Sequence, residues 1–485
     1  MSTPQQGVVA AGHPLTADAG AKALRAGGNA VDAAIAAMLT SFVAEPLLTG
    51  LGAGGYMLIA GAGREPVLLD FFVQAPRRNR EHPAELIAID VSFGDAEQVF
   101  YVGSASCGVY GMPAGVCTAS ERWGTMALSD LAADAVRLAY EGITLNSGQA
   151  YVAEILADLL RLTPECAALW APEGEILREG DVLRNPDLGA ALRLLAQQGA
   201  EPFYRGEIAR AVCDWVSSRG GSLTADQLEG YSAIEREPVR MAYRDRLLLT
   251  NPPPSAGGTL LAYALGLLDR GPAPPTLKDV LGAMAAAQSE RTPQFVAGLA
   301  QPGFLERFLS RRLGSTTHIS VLDSDGLACS VTATNGEGSG VVVPGTGMHI
   351  NNIMGEEDLN PLGFHTHPAG ARMPSMMAPS ALLRDGEVEL VLGSAGSNRI
   401  RSALLQTIVG VVDHDLGVEE AVCAPRVHFE NDITYAEPGI PEDLLSGCQT
   451  APVRFSSLNL FFGGVQAVQR RGSELTGAGD PRRGG

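Results

Sequence analysis

Two short runs carry residue types and spacings suited to covalent chemistry. The first is Thr316-Thr-His-Ile-Ser-Val-Leu-Asp323, which opens an alternating stretch about two-thirds of the way along a chain of 485 residues. A threonine hydroxyl inside a chain is a poor nucleophile. If the Ser315–Thr316 bond is cut, Thr316 gains a free α-amino group beside its own Oγ, and an amine with an ordinary pKa of about 8 can serve as its base. Two threonines also simply suit the start of a strand, because a β-branched side chain fits a pleated surface. The second run is Gly393-Ser-Ala-Gly-Ser-Asn398, between a strand over 388–392 and a helix over 399–412. Successive backbone N–H groups at a helix start make a donor nest for developing negative charge, an oxyanion hole. The same glycines would also serve a tight strand-to-helix turn.

These residues need elements to hold them. Leu322-Asp-Ser-Asp-Gly-Leu327 has the chemistry of a three-residue hairpin loop, Ser324 to Gly326, with Gly326 free to take positive φ. That loop pairs Asp323 with Leu327, His318 with Thr332, Ile319 with Val331 and Val321 with Cys329. Apolar and polar residues then sort onto opposite faces, and Thr316 falls opposite Thr334. Upstream, a helix over 16–26 stops at Gly27-Gly28. Asn29 caps a second helix whose stripe runs Val31, Ala34, Ile35, Met38, Leu39, Phe42 and Val43 until Pro46. Gly50-Leu-Gly-Ala-Gly-Gly-Tyr56 leads into a strand, which favours close backbone packing or a pocket wall over a phosphate cradle. Residues 126–270 read as mostly helical scaffold. The stretch 270–315 is broken by proline and glycine, carries Arg311-Arg312 before the expected cut, and is expected to move once cleaved. A polar loop follows at 351–358, and the last dozen residues read as frayed.

Composition excludes several function classes. With 46% hydrophobic and 18% charged residues, the chain reads as a globular protein. No spanning helix or secretory leader is visible, so the cytoplasm is the expected location. A net charge of −19 without a basic run argues against nucleic acid and anionic membranes as partners. Local arginines, Arg372, Arg399 and Arg401, could still clamp an anion in a pocket. Seven scattered cysteines form neither a disulfide framework nor a zinc site. His365 and His367 with the acids at 356–358 are the nearest thing to a metal set, and two histidines two apart in a proline-rich loop are more often solvated.

Taken in order, Gly27-Gly-Asn-Ala-Val-Asp-Ala-Ala34, the turn at 50–55, Asp70-Phe-Phe-Val-Gln-Ala-Pro76, Gly111-Met-Pro-Ala-Gly115, Asn251-Pro-Pro-Pro-Ser-Ala-Gly-Gly258, Thr316-Thr-His318, Gly338-Ser-Gly340, Asn351-Asn352 and Gly393-Ser-Ala-Gly-Ser-Asn-Arg399 form an ordered set spanning nearly the whole chain. The set resembles the γ-glutamyltranspeptidase family of N-terminal nucleophile hydrolases. The resemblance implies a four-layer αββα sandwich. It also implies cleavage into a large subunit, 1–315, and a small one, 316–485, that stay together as a heterodimer forming one αββα unit. No metal or organic cofactor follows from it. It makes Thr316 the nucleophile and base, Thr334 its hydrogen-bonding helper, and Gly396 and Ser397 the oxyanion donors. Asn335 stands near the family's substrate-contacting asparagine.

The chain departs from the family where the substrate binds. Phe72 stands in place of the arginine that holds the glutamyl α-carboxylate, Glu356 in place of the aspartate that grips the amino group, and Ile353 in place of a glutamine. Of two paired serines only Ser375 remains, followed by Met376. Losing a desolvated arginine–carboxylate contact removes on the order of 2–4 kcal/mol of binding. The reading that follows is an acyl hydrolase or transferase, acting through an acyl-enzyme on Thr316, with a small-molecule substrate other than glutathione. Two alternatives stand beside it. One is a C–C bond hydrolase with the same nucleophile, as in family members that build alkylated proline units of antibiotics. The other is a non-catalytic relic that binds a metabolite or a partner.

Overall fold

The computed structural model describes residues 7–79, 81, 83–92, 97–290, 317–360, 363–445 and 450–485. Ser315, Thr316 and the Arg311-Arg312 pair lie outside these residues. The hairpin forms from strands Thr317–Asp323 and Leu327–Thr334 with the expected register: His318 faces Thr332, Ile319 faces Val331 and Val321 faces Cys329. Gly326 turns the loop at φ 85°. Asp323 fixes it, accepting from the Asp325 and Leu327 N–H groups at 3.0 Å with one oxygen and from Ala30 N–H at 3.0 Å with the other. The turn is thereby tied to the start of the helix Ala30–Ala44.

That hairpin is the middle of a six-stranded antiparallel sheet ordered 7–11, 317–323, 327–334, 54–61, 64–71, 234–236. A second six-stranded antiparallel sheet runs 474–478, 464–471, 387–395, 380–384, 246–250, 239–243. Ile319, Val321, Cys329 and Val331 turn outward onto the helix Ala30–Ala44 in one apolar core. The helices Ala256–Asp269 and Arg399–Val412 cover the second sheet in another. Helix, sheet, sheet and helix make the four-layer αββα sandwich of N-terminal nucleophile hydrolases. No helix among the described residues is long and apolar enough to cross a membrane.

The polar face of the hairpin is buried between the sheets rather than exposed to water. The His318 ring nitrogens lie 2.8 Å from Thr332 Oγ1 and Ser320 Oγ. Ser320 Oγ donates to Gln466 O at 3.0 Å and Ser330 Oγ to Leu392 O at 3.2 Å, both on the second sheet. Burial lowers the His318 pKa to about 3, so the ring is neutral. Gly393 makes room for it: a Cβ there would stand 2.3 Å from the imidazole.

Several sequence expectations are corrected. All fifteen residues of Ala30–Ala44 are buried, so the apolar stripe belongs to a helix enclosed on every side. Residues 234–250 are not helical but supply three strands, and 270–315 includes the helix Leu277–Ser289 with a Thr276–Asp279 capping box. The C-terminal dozen is not frayed. Strand Glu474–Ala478 closes the second sheet, and buried ion pairs join Arg482 to Glu437 at 2.5 Å and Arg426 to Asp480 at 2.6 Å. The glycines at 50–55, by contrast, do serve the close packing expected of them: a Cβ on Gly52 would lie 2.4 Å from His349 O and one on Gly55 2.5 Å from Thr332 O.

Candidate active site

The open ends of the two central hairpin strands give onto a narrow cleft of about 100 Å³. Thr317, Thr334, Gly336, Glu337, Gly396, Ser397 and Arg399 line it. Leu47, Leu48, Val152 and Phe461 supply apolar wall, and Arg483 reaches in from the tail. The Thr334 hydroxyl oxygen accepts from Gly336 N–H at 2.8 Å, so its proton remains available to a neighbour. Thr317 Oγ1 donates to Glu45 Oε1 at 3.4 Å.

The strand Glu387–Ala395 breaks off because Gly396 takes φ 117° and Ser397 φ 51°, both in the left-handed region. Such a turn aims consecutive N–H groups the same way. Among the described residues, neither the Gly396 nor the Ser397 N–H donates to another protein group. Asp358 clamps the turn from behind, accepting from Ser397 Oγ at 2.5 Å and Asn398 Nδ2 at 3.0 Å. The arrangement is a preorganised donor pair at the edge of a cleft that also holds Thr334.

Acids and cations crowd this cleft. Burial raises the pKa of both Glu337 and Glu356, and their side chains share a hydrogen bond, so one proton is held between them. Gly336, at φ 64°, is needed beside them: a Cβ would lie 2.3 Å from Glu356 Oε1. Glu45, which ends the helix Ala30–Ala44, is pushed up to about 7 by burial. Hydrogen bonds from Thr16 and Thr317 and the charge of Arg483 oppose that rise. Burial lowers Arg483 to about 10. Beside the cleft lies a chamber of about 620 Å³, and the two share Leu47, Leu48, Val152, Leu460 and Arg483 in their walls.

Thr334, Gly396, Ser397 and Arg399 meet at the cleft, whereas Asn335 and Glu356 lie just behind its wall. Asn335 is fully buried, donating through Nδ2 to His349 O at 3.1 Å. Three further expected substrate contacts do not line the cleft. Phe72 is fully buried between the sheets, its ring centre 5.5 Å from that of Tyr56. Arg372 is committed to structure, donating to Phe72 O and Ser232 O at 2.8 Å with its Nε 3.2 Å from Asp70. Ser375 Oγ accepts from Met377 N–H at 3.0 Å in a buried turn. Arg401 is likewise buried, donating to Gln288 at 2.8 Å. His367 Nε2 lies 3.2 Å from Leu359 O, and no cluster of three or more potential metal-binding side chains occurs among the described residues.

Glu45, Glu337 and Arg483 were missed. Glu45 has a faint signal, since it immediately precedes the proline that ends an apolar helix. Arg483 has none, in a glycine- and arginine-rich tail.

The γ-glutamyltranspeptidase family model matches residues 16–297 and 299–485. The chain is 32% identical over 482 residues to the acylase ACY 1 proenzyme of Pseudomonas sp. (strain V22), covering 91% of this chain and 86% of that one. It is 30% identical over 542 residues to the glutathione hydrolase proenzyme of Escherichia coli (strain K12), covering 99% and 90%. The crystal structure of cephalosporin acylase from Bacillus halodurans shares the fold, with a TM-score of 0.83 at 24% identity over 99% of this chain and 95% of that one. With a family model matching almost end to end and relatives similar across nearly their whole length, this chain belongs to the γ-glutamyltranspeptidase family.

Proposed function

We propose that this protein is an autoprocessing acyl-amide hydrolase or acyltransferase whose nucleophile is Thr316, released by cleavage of the Ser315–Thr316 bond into subunits 1–315 and 316–485. The observation that carries the reading is the convergence on one cleft of the strand that begins at Thr317, the Thr334 hydroxyl and the unengaged Gly396 and Ser397 N–H groups. The register pairs Thr317 with Ala333, the residue before Thr334.

In the reaction, Thr316 Oγ attacks the amide carbon while its own α-amine takes the hydroxyl proton. The carbonyl oxygen becomes an oxyanion against the Gly396 and Ser397 N–H groups. The C–N bond then breaks, and the ammonium returns a proton to the leaving amine. Water or another amine attacks the acyl-threonine in the reverse sense. A relative named an acylase and a buried Phe72 at the position of the glutamate-holding arginine both support a substrate other than glutathione.

Intact mass and N-terminal sequencing of the purified protein, beside Thr316→Ala, test this. Two fragments are expected, the smaller beginning Thr-Thr-His-Ile, with Thr316→Ala uncut. Thr334→Ala should slow cleavage or turnover roughly tenfold, the value of one neutral hydrogen bond. A cleaved Thr316→Ala protein would refute the mechanism.

A further inference from the structure

A hydroxyl, an imidazole and a carboxyl group lie in a row that ends on Asn398, the residue after the Gly396–Ser397 turn. Ser402 Oγ is 2.8 Å from His428 Nδ1, and His428 Nε2 is 3.3 Å from Glu430 Oε2. Glu430 Oε1 then accepts from Asn398 Nδ2. None of these four side chains lines the cleft, and the acyl-transfer steps use none of them. Asn398, Ser402 and His428 are buried. The imidazole is packed between rings, its centre 6.0 Å from that of Tyr435 and 6.1 Å from that of Phe461, a residue of the cleft wall.

The donors in this row have one consistent order. Burial lowers the His428 pKa, so at pH 7 the ring is neutral and carries a single N–H. Between a carboxyl group and a hydroxyl, that N–H belongs on Nε2, donating to Glu430, while Nδ1 accepts from Ser402. Asn398 is held as firmly. Its Nδ2 donates to Asp358 Oδ1 at 3.0 Å as well as to Glu430, and its buried Oδ1 has no hydrogen-bond partner among the described residues. An amide whose nitrogen faces two carboxyl groups has only one orientation, and here that orientation leaves a carbonyl unsatisfied. The turn itself closes through Arg399 N–H to Gly396 O at 3.0 Å and Ile400 N–H to Ser397 O at 3.1 Å. Asp358 holds its end from the short segment Glu357–Leu359, and Glu430 from the strand Val427–Glu430. That strand is joined in turn to the helix Arg399–Val412, where Gln406 accepts from Val427 N–H at 2.9 Å and donates to Val427 O at 3.0 Å.

Resting on the acyl-transfer reading above, we propose that Glu430 and His428 are positioning residues of the oxyanion nest, acting through Asn398 on the aim of the Gly396 and Ser397 N–H groups. Ser402 fixes the imidazole tautomer, the imidazole fixes the Glu430 carboxyl group, and that group holds Asn398 opposite Asp358. Neither residue lines the cleft, so neither is a substrate contact. Their part is to keep the donors set before charge develops on the carbonyl oxygen. Such an effect is realised in the transition state rather than in the bound substrate, so its loss falls on kcat and leaves KM in place.

The test uses Glu430→Ala, Glu430→Gln, His428→Phe and Asn398→Ala, each fully cleaved by mass, with aliphatic, aromatic and γ-glutamyl p-nitroanilides. His428→Phe keeps the ring packing and removes both nitrogens. On the best probe, Glu430→Ala and His428→Phe should lower kcat roughly tenfold with KM within about twofold, and Glu430→Gln, which can still accept from Asn398, should recover part of the loss. In the Asn398→Ala background Glu430→Ala should lower kcat no further, because both act through one link. Hydrogen–deuterium exchange at the Arg399 and Ile400 amides, measured in the uncut Thr316→Ala chain, reads the turn without turnover. It should be roughly tenfold faster in Glu430→Ala and in His428→Phe. Should His428→Phe not fold, Glu430→Ala and Asn398→Ala still decide. An unchanged kcat, a loss confined to KM, or a loss that adds to that of Asn398→Ala overturns the proposal. Unchanged exchange overturns it whether or not any probe is turned over. Faster exchange without turnover of any probe by the unaltered enzyme upholds the positioning and counts against the acylase reading alone.

Discussion

Replacing Glu45 by glutamine should stabilise the fold above pH 7 and leave it nearly unchanged below pH 4.5. Glu45 is 7% exposed at the end of the helix Ala30–Ala44, and burial raises the pKa of its carboxyl group from 4.5 to about 7. Between those values the folded chain holds a proton that the unfolded chain has lost. The stability this brings is therefore fully present below pH 4.5 and lost as pH rises through about 7. At about 1.4 kcal/mol per pH unit, the loss amounts to about 3 kcal/mol. Glutamine stays neutral throughout, and its amide can still meet the Thr16 and Thr317 hydroxyls. Urea unfolding at pH 4.5, 7 and 8.5 would measure this in the Thr316→Ala background, where one uncut chain unfolds as one molecule. The stability of the glutamine variant relative to its parent should rise from near zero at pH 4.5 to about 2–3 kcal/mol at pH 8.5. A difference that stays flat with pH would refute the burial account. A glutamine variant less stable at pH 8.5 would show instead that Arg483 holds the carboxylate as a net favourable pair.

Three other substitutions address the supports of the cleft. Asp358→Asn weakens the clamp on Ser397 and Asn398 and should lower kcat roughly tenfold, with a smaller effect on KM, on whichever acyl p-nitroanilide is turned over best. Gly393→Ala drives a Cβ to 2.3 Å from the His318 ring and should cost about 1–3 kcal/mol, of which His318→Ala in the same chain returns part in a double-mutant cycle of thermal midpoints. Arg482→Met leaves Glu437 buried without its guanidinium partner and should cost about 3–5 kcal/mol by urea unfolding.

The hairpin was legible because its information is local. Ser324, Asp325 and Gly326 specify the loop, the loop specifies the register, and alternation sorts Ile319 and Val321 from His318 and Ser320. What lies opposite the polar face was not legible. Gln466, Leu392 and Ser380 come from distant strands, and only their arrival turns a row of hydroxyls and an imidazole into a seam between sheets. Residues 239–250 misled for a related reason, since a short run such as Arg246–Thr250 shows its strand character chiefly through pairing with Ser380–Arg384.

That Thr334 and the Gly396–Ser397 turn would each stand at the end of a strand was legible from sequence, because a strand–glycine–helix junction and a hairpin register are both short-range constructions. Which expected substrate contacts would border the cleft was not legible, because the surroundings of a side chain are set by distant strands. An aromatic ring at position 72 packs onto Tyr56 and closes the space between the sheets, and Arg372 is then spent on Asp70 and backbone carbonyls. A cation for the cleft has to come from another element. The tail supplies one only because Asp480 and Arg482 are anchored to Arg426 and Glu437, and the Arg482–Glu437 tie joins residues 45 apart in sequence. Without such anchors, five residues with two arginines and two glycines look like solvent-exposed chain. With them, Arg483 is fixed against Gly464 and Gly396 at the edge of the cleft.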